Sequence, residues 1–176
     1  MPLYRFKDST PSLGKECFIA PNADLIGKVY LKDHVSIWFQ TVVRGDDDEI
    51  IIGKNTNIQD LCMLHVITGG PLIIGENVSV GHKVTLHACT IGDGSLIGMG
   101  STILDRAVIG RNSLVAAGSV VAPGKVYPEG SMIMGAPAKV KRPLTEQEIQ
   151  LYSNHYHSYL KTKADYLSQA NFELLD

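Results

Sequence analysis

The sequence predicts an all-β parallel β-helix followed by a C-terminal α-helix, with hexapeptide repeats winding three hexads to a coil. Three observations predict it. An aliphatic residue recurs every six positions: Ile19, Leu25, Leu31, Ile37 and Val43; after an insertion, Ile52, Ile58 and Leu64; after a second, Ile74, Val80 and Leu86; then, one residue short, Ile91, Ile97, Ile103, Ile109, Val115 and Val121. Glycine often follows, as at Gly53, Gly75, Gly81, Gly92, Gly98 and Gly110, and the fourth residue after the aliphatic is small, as at Ser95, Ser101, Ser113 and Ser119. Helical spacing replaces the period of six after Leu144.

Each element follows in chain order. Residues 1–18 carry no hexad and are expected to cap one end of the solenoid, whose exposed edge needs covering. Over 19–126 every hexad aliphatic points to the axis, glycine permits the corner, and coils stack about 4.8 Å apart through backbone hydrogen bonds. Residues 127–143 contain Pro128, Gly130 and Pro137 and are expected to be a linker, because proline cannot join a central ladder. Over 144–176 a capping box opens a helix: Thr145 is the N-cap, Glu148 the third helical residue, and Leu144 with Ile149 the hydrophobic staple. Ile149, Tyr152, Tyr156, Tyr159 or Leu160, and Tyr166 or Leu167 form a stripe expected to lie along the solenoid.

Composition narrows the function. The 176 residues suit one domain, and 16 Lys+Arg against 18 Asp+Glu give a net charge of -2. No basic field exists to hold nucleic acid or an anionic membrane surface. No apolar run approaches the roughly 18 residues of a membrane span, and the N-terminus lacks a signal-peptide core. Cys17, Cys62 and Cys89 are too sparse for a disulfide framework and suit a reducing compartment, so a cytoplasmic location is expected. Cys62 and Cys89 fall at small-residue positions and read as packing, His155 and His157 as solvated helix residues, and His34 as an exposed turn residue.

Stacking the coils sorts the polar residues into columns. One residue past the aliphatic of one face stand Arg44, His65, His87 and Leu104; two residues past that of another stand Phe39, Asp60, His82 and Met99, with Trp38 and Gln59 beside them. His65 and His87, one coil apart, can reach a single ion. His82 lies across a corner and points elsewhere within its own chain, so the spacing suggests a threefold ring in which it completes the set on a neighbour. Three histidines with an open fourth position are a catalytic zinc pattern, suited to hydration or hydrolysis. Iron or cobalt also suits imidazole and water.

The motifs Arg44-Gly-Asp46, Asn57-Ile-Gln59-Asp60 with His65, Gly81-His82 with Leu86-His87, Ile97-Gly-Met-Gly100 and Gly135-Ala-Pro-Ala138 resemble the γ-class carbonic anhydrases over essentially the whole chain. The resemblance implies a left-handed parallel β-helix, a homotrimer with metal sites shared between subunits, and hydration of CO2 to bicarbonate by a hydroxide held on the metal. It implies His65, His82 and His87 as ligands and Gln59 as the residue orienting the hydroxide. Arg44, Asp46 and Asp60 would bridge subunits and order the site, and Tyr159 would lie near the pocket. Where the family prototype carries glutamates on two loops, this chain has Asp46-Asp47-Asp48-Glu49 on the first, so that Asp47 or Asp48 takes the proton-exporting role. The second loop, Ile67 to Leu72, has no acid, as in short-looped homologues of the family. Two other functions compete: a hexapeptide-repeat acyltransferase binding acyl-CoA between subunits, which uses one histidine as base, and a metal-binding scaffold without turnover.

Overall fold

The computed structural model describes residues 3–168 and 171–173. Short parallel strands stack in register to form the solenoid. On one face Phe18–Ile19, Ser36–Ile37, Asn57–Ile58, Ser79–Val80, Leu96–Ile97, Leu114–Val115 and Ser131–Gly135 make one ladder. The other two faces form a single sheet, because Asp24–Leu31 and Val42–Ile52 each run through a corner without a break. Ile37, Ile58, Val80 and Ile97 are successive partners on the first face, and Val43, Leu64, Leu86 and Ile103 on the second. Ile37, Ile58, Leu64, Val80, Leu86, Ile97 and Ile103 have no solvent exposure at all. Each such burial contributes about 1.5–3 kcal/mol, so the hexad column is the main source of stability.

The corner residues explain the rest of the repeat. Ser95, Ser113 and Ser131 form a ladder of hydroxyls, with the Ser113 amide donating to Ser95 Oγ at 3.2 Å and the Ser131 amide to Ser113 Oγ at 3.1 Å. At Gly53 a Cβ would stand 2.4 Å from the backbone C and O of Gly75, so these two coils approach more closely than any side chain allows. The two insertions emerge at one corner. The first carries the four acids from Asp46 to Glu49 within a continuous strand, and the second folds back through a bridge between Ile67 and Gly70.

The expected linker is instead the end of the solenoid. Val126–Tyr127 pairs with Val108–Ile109, Ser131–Gly135 pairs with Leu114–Val115, and Ala138–Pro143 returns antiparallel to the latter. The period of six continues through Tyr127 and Ile133, both buried. A tyrosine on the axis broke the aliphatic pattern, yet its hydroxyl donates to Ala138 O at 2.8 Å and is satisfied. Pro128 sits between strands, Pro137 at the hairpin tip and Pro143 on an edge, where no ladder N–H is needed. The N-terminal segment supplies rungs of its own: Leu3–Tyr4 and Ser12–Leu13 both pair with Asp24–Leu31.

At the C-terminal end two helices, α1 (Glu146–Ser153) and α2 (Tyr156–Leu167), meet at Asn154 and His155, where one helix was expected. The capping box forms with Thr145 and Glu148 as read from the sequence. The expected continuation through residue 176 reaches positions 169, 170 and 174–176, which lie outside the described residues. Tyr159 and Tyr166 pack on Trp38, with ring centroids 5.4 and 5.1 Å away, and so fasten α2 to the first coils. Lys163, 4% exposed, donates to Glu16 O at 2.8 Å, and burial lowers the pKa of its amine. The apolar stripe hid this contact, because a lysine inside it reads as a solvated position. No described helix is long and apolar enough to cross a membrane.

Two outcomes test these contacts. Gly53→Ala is expected to lower stability by about 1–3 kcal/mol in urea unfolding, since the new methyl meets backbone that cannot step aside. Arg142 donates two hydrogen bonds to Glu148, both 2.7 Å, and these bonds, with those from Thr145, hold its carboxyl pKa at about 2 against an ordinary 4.5. A depressed carboxyl favours the fold above its unfolded pKa and loses that contribution as pH falls. Helix docking, followed by Tyr159 and Tyr166 proton resonances, is therefore expected to weaken between about pH 4.5 and 2. In Glu148→Gln that transition disappears.

Candidate metal centre

The parallel ladder carries the histidines. Arg44, His65 and His87 are direct register partners on successive strands, so their side chains leave the same face one rung apart. Asp46 follows Arg44 on the same strand, turns back, and ties the first two together: it pairs with an Arg44 guanidinium nitrogen and stands 3.0 Å from His65 Nε2. Burial pushes the Asp46 carboxyl up, but the hydrogen bonds from His65 and Arg44 outweigh it and hold its pKa below the usual range. Asp47, exposed, joins Asp46 and His65 in a group whose ligand atoms lie within 4.8 Å of one another.

The two imidazoles face each other. His65 Nδ1 is 3.1 Å from His87 Nε2, while the opposite nitrogen of each ring is held by a carboxylate, Asp46 for His65 and Asp105 for His87. Carboxylates accept, so those outer nitrogens carry protons, and with both rings neutral the facing nitrogens are lone pairs that a cation between them would satisfy. Zn–N bonds of 2.0–2.1 Å in a tetrahedral site put two ligand nitrogens about 3.3–3.4 Å apart. The donors present therefore fit a divalent ion, each with the carboxylate partner that fixes a ligand imidazole's tautomer.

His82 stands on the other face, just past Ser79–Val80. Its Nδ1 lies 2.8 Å from Asp60 Oδ2, which leaves Nε2 free as the acceptor among the described residues. Gln59, 2% exposed, donates from Nε2 to Asn57 Oδ1 at 3.1 Å. Its backbone carbonyl accepts from Thr41 Oγ1 at 2.8 Å, which fixes the strand end where Gln59 and Asp60 sit. Leu61 follows with φ 63, a strained turn conformation for a leucine, and it and Met99 leave apolar surface exposed around the Asp60–His82 pair. Burial, with the Asp60 charge adding, pushes the Tyr159 phenol up to about 12, so it is a permanent donor nearby.

The predicted residues thus fall into two clusters. Arg44, Asp46, Asp47, His65 and His87 meet on one face; Gln59, Asp60, His82 and Tyr159 gather on the other. Arg44 pairs with Asp46 of its own chain. Sequence reasoning missed Asp105, which stands beside the His87 column one coil further on; extending the columns by one position would have found it. His155 is exposed, as the sequence reading had it, and its Nδ1 also stands 3.2 Å from the buried Ser79 Oγ. Cys62 and Cys89 are buried, and burial pushes both thiols up to about 12.

Comparison with known proteins follows this geometry. Residues 88–123 match the family model described as bacterial transferase hexapeptide (six repeats). The chain is 49% identical to a carbonic anhydrase of Geobacillus kaustophilus over 148 residues, covering 84% of this chain and 81% of that one. It is 44% identical to the mitochondrial gamma carbonic anhydrase 3 of Arabidopsis thaliana over 181 residues, with 96% and 70% covered. A crystal structure of a hexapeptide transferase family protein from Anaplasma phagocytophilum superposes with TM-score 0.88 at 41% identity, covering 94% of this chain and 98% of that one. With two relatives named carbonic anhydrase aligned over most of both chains, this chain belongs to the γ-class carbonic anhydrase family of hexapeptide-repeat proteins.

Proposed function

We propose that the protein is a zinc-dependent carbonic anhydrase of the cytoplasm, hydrating CO2 to bicarbonate at three sites of a homotrimer. Each site would unite His65 and His87 of one protomer with His82 of the next. One observation carries this reading: all three histidines are held at one nitrogen by a carboxylate of their own, Asp46, Asp105 and Asp60, and offer the other as a lone pair. His34 also meets a carboxylate, Glu16 at 3.2 Å, but it shares no ladder with another histidine, whereas His65 and His87 are register partners. The exposed Leu61 and Met99 around His82 support burial of this face by a second copy. Iron or cobalt suits the same donors as zinc.

Held by His65 and His87 with His82 of the next protomer, a divalent ion would supply Lewis acidity and activate water for attack. The chain's own groups do the remaining work. Gln59 spends Nε2 on Asn57, which turns Oε1 outward to accept from the attacking water and aim its lone pair at CO2. Asp46 is committed to His65 and Arg44 and is a poor proton acceptor. Asp47, exposed beside it, is the group left to export the proton, through a cavity of about 240 Å³ that it lines with Lys28, Asp46 and Thr68.

The names of the transferase relatives favour a second reading, acyl transfer from acyl-CoA in the groove between subunits. It uses one histidine and leaves the other two, with their carboxylates, unexplained. A scaffold that binds metal without turnover is the third outcome.

Stopped-flow CO2 hydration on zinc- and iron-loaded protein separates these readings: a rate above buffer is expected, and none with either metal points to the scaffold. Saturable acyl-CoA binding at the subunit groove would restore the second. His82→Ala is expected to lose the metal and weaken the trimer in sedimentation, and full metal occupancy in that variant would remove His82 from the site. Asp105→Asn is expected to weaken zinc affinity about 10–100-fold in a chelator competition while leaving the fold intact.

A further inference from the structure

A chain of buried hydrogen bonds runs from Gln59 to the break between the two helices. Gln59 Nε2 donates to Asn57 Oδ1 at 3.1 Å, and Asn57 Nδ2 donates to Ser79 Oγ at 2.8 Å. Ser79 Oγ lies 3.2 Å from His155 Nδ1. Asn57 and Ser79 are register partners on adjacent strands, and Asn57, Gln59 and Ser79 are all 2% exposed or less. His155 is the one exposed member and comes from α2's N-cap position, where its side chain makes no capping bond.

With His155 in the tautomer that leaves a lone pair on Nδ1, the Ser79 hydroxyl accepts from Asn57 and donates to that nitrogen. Asn57 then bridges Gln59 and Ser79, and both amides hold one orientation. Remove that acceptor and the Ser79 hydroxyl turns to another partner, Asn57 gains the freedom to flip, and the Gln59 amide is no longer held with Oε1 outward. Such a buried network, fully satisfied, specifies one arrangement; partly satisfied, it loses that property.

We propose that His155 is a positioning residue for the site, acting through Ser79 and Asn57 to set the orientation of the Gln59 amide. The proposal rests on the assignment of Gln59 to the reaction given above. It touches no metal ligand. Its conservative replacement is asparagine, whose side-chain oxygen accepts near the place of Nδ1, whereas phenylalanine fills the space and accepts nothing.

The test compares wild type, His155→Phe, His155→Asn and Ser79→Ala as full-length, zinc-loaded protein. Metal content and melting temperature are expected to be unchanged in the His155 variants. In His155→Phe and Ser79→Ala, kcat for CO2 hydration is expected to fall about fivefold with KM little altered, the loss of one net hydrogen bond's worth of positioning, and to recover in His155→Asn. The Asn57 and Gln59 side-chain amide signals in ¹H–¹⁵N spectra are expected to be sharp in wild type and His155→Asn, and shifted or broadened in the other two. Unchanged Gln59 amide signals in His155→Phe would overturn the proposal, and so would an equal fall of kcat in His155→Asn. A wild type without turnover would sink the assignment of Gln59 to catalysis, while the amide signals still decide whether His155 sets that side chain.

Discussion

The register of one coil upon the next is the constraint from which the rest of this molecule follows. A parallel ladder puts equal positions of successive hexads one strand spacing apart, and it does so for the residues outside the core as rigidly as for those inside. His65 faces His87 for the same reason that Leu64 faces Leu86: both pairs belong to one run of backbone hydrogen bonds. Slipping that strand by one residue would turn the histidines inward and the leucines out, at the cost of the buried column. The stability of the solenoid and the geometry of the site are thus one property measured in two ways.

A single chain keeps the three histidines in two groups. On one face Asp46 and Asp105 hold His65 and His87 with their lone pairs opposed; on another Asp60 holds His82. Each group is satisfied on its outer side and deficient on its inner side. That asymmetry gives the carboxylates a function apart from charge balance: they fix which ring nitrogen carries the proton. The same logic reaches further out, where Asn57 and Ser79 order the amide of Gln59.

Much of this was legible in the sequence, because period six converts directly into position. The core column, the acidic corner, the capping box and the adjacency of His65 and His87 all follow from counting. What counting could not supply has physical reasons. Tyr127 carries the axis past the point where aliphatic residues stop, since a phenol with a satisfied hydroxyl packs where a leucine would. Pro128 and Pro137 suggested a linker, yet each falls where the ladder asks nothing of its nitrogen. Lys163 hid within the helical stripe because its amine ends on a backbone carbonyl far off in sequence. Asp105 and His155 act through side-chain contacts between distant segments, which the repeat does not encode.

The first insertion lies within a strand that runs unbroken through its corner, and the second closes on itself through a single bridge before the ladder resumes. The neighbouring coil takes up the first as a register shift between Gly27 and Val29 and then resumes its pairing. The architecture therefore separates two kinds of inheritance: the rungs, which cannot change length without displacing every ligand, and the corners, which can be lengthened, shortened or recharged one at a time. A lineage that keeps the rungs can trade the second corner freely, whereas the first supplies Asp46 to His65 and is bound to the histidine column it serves.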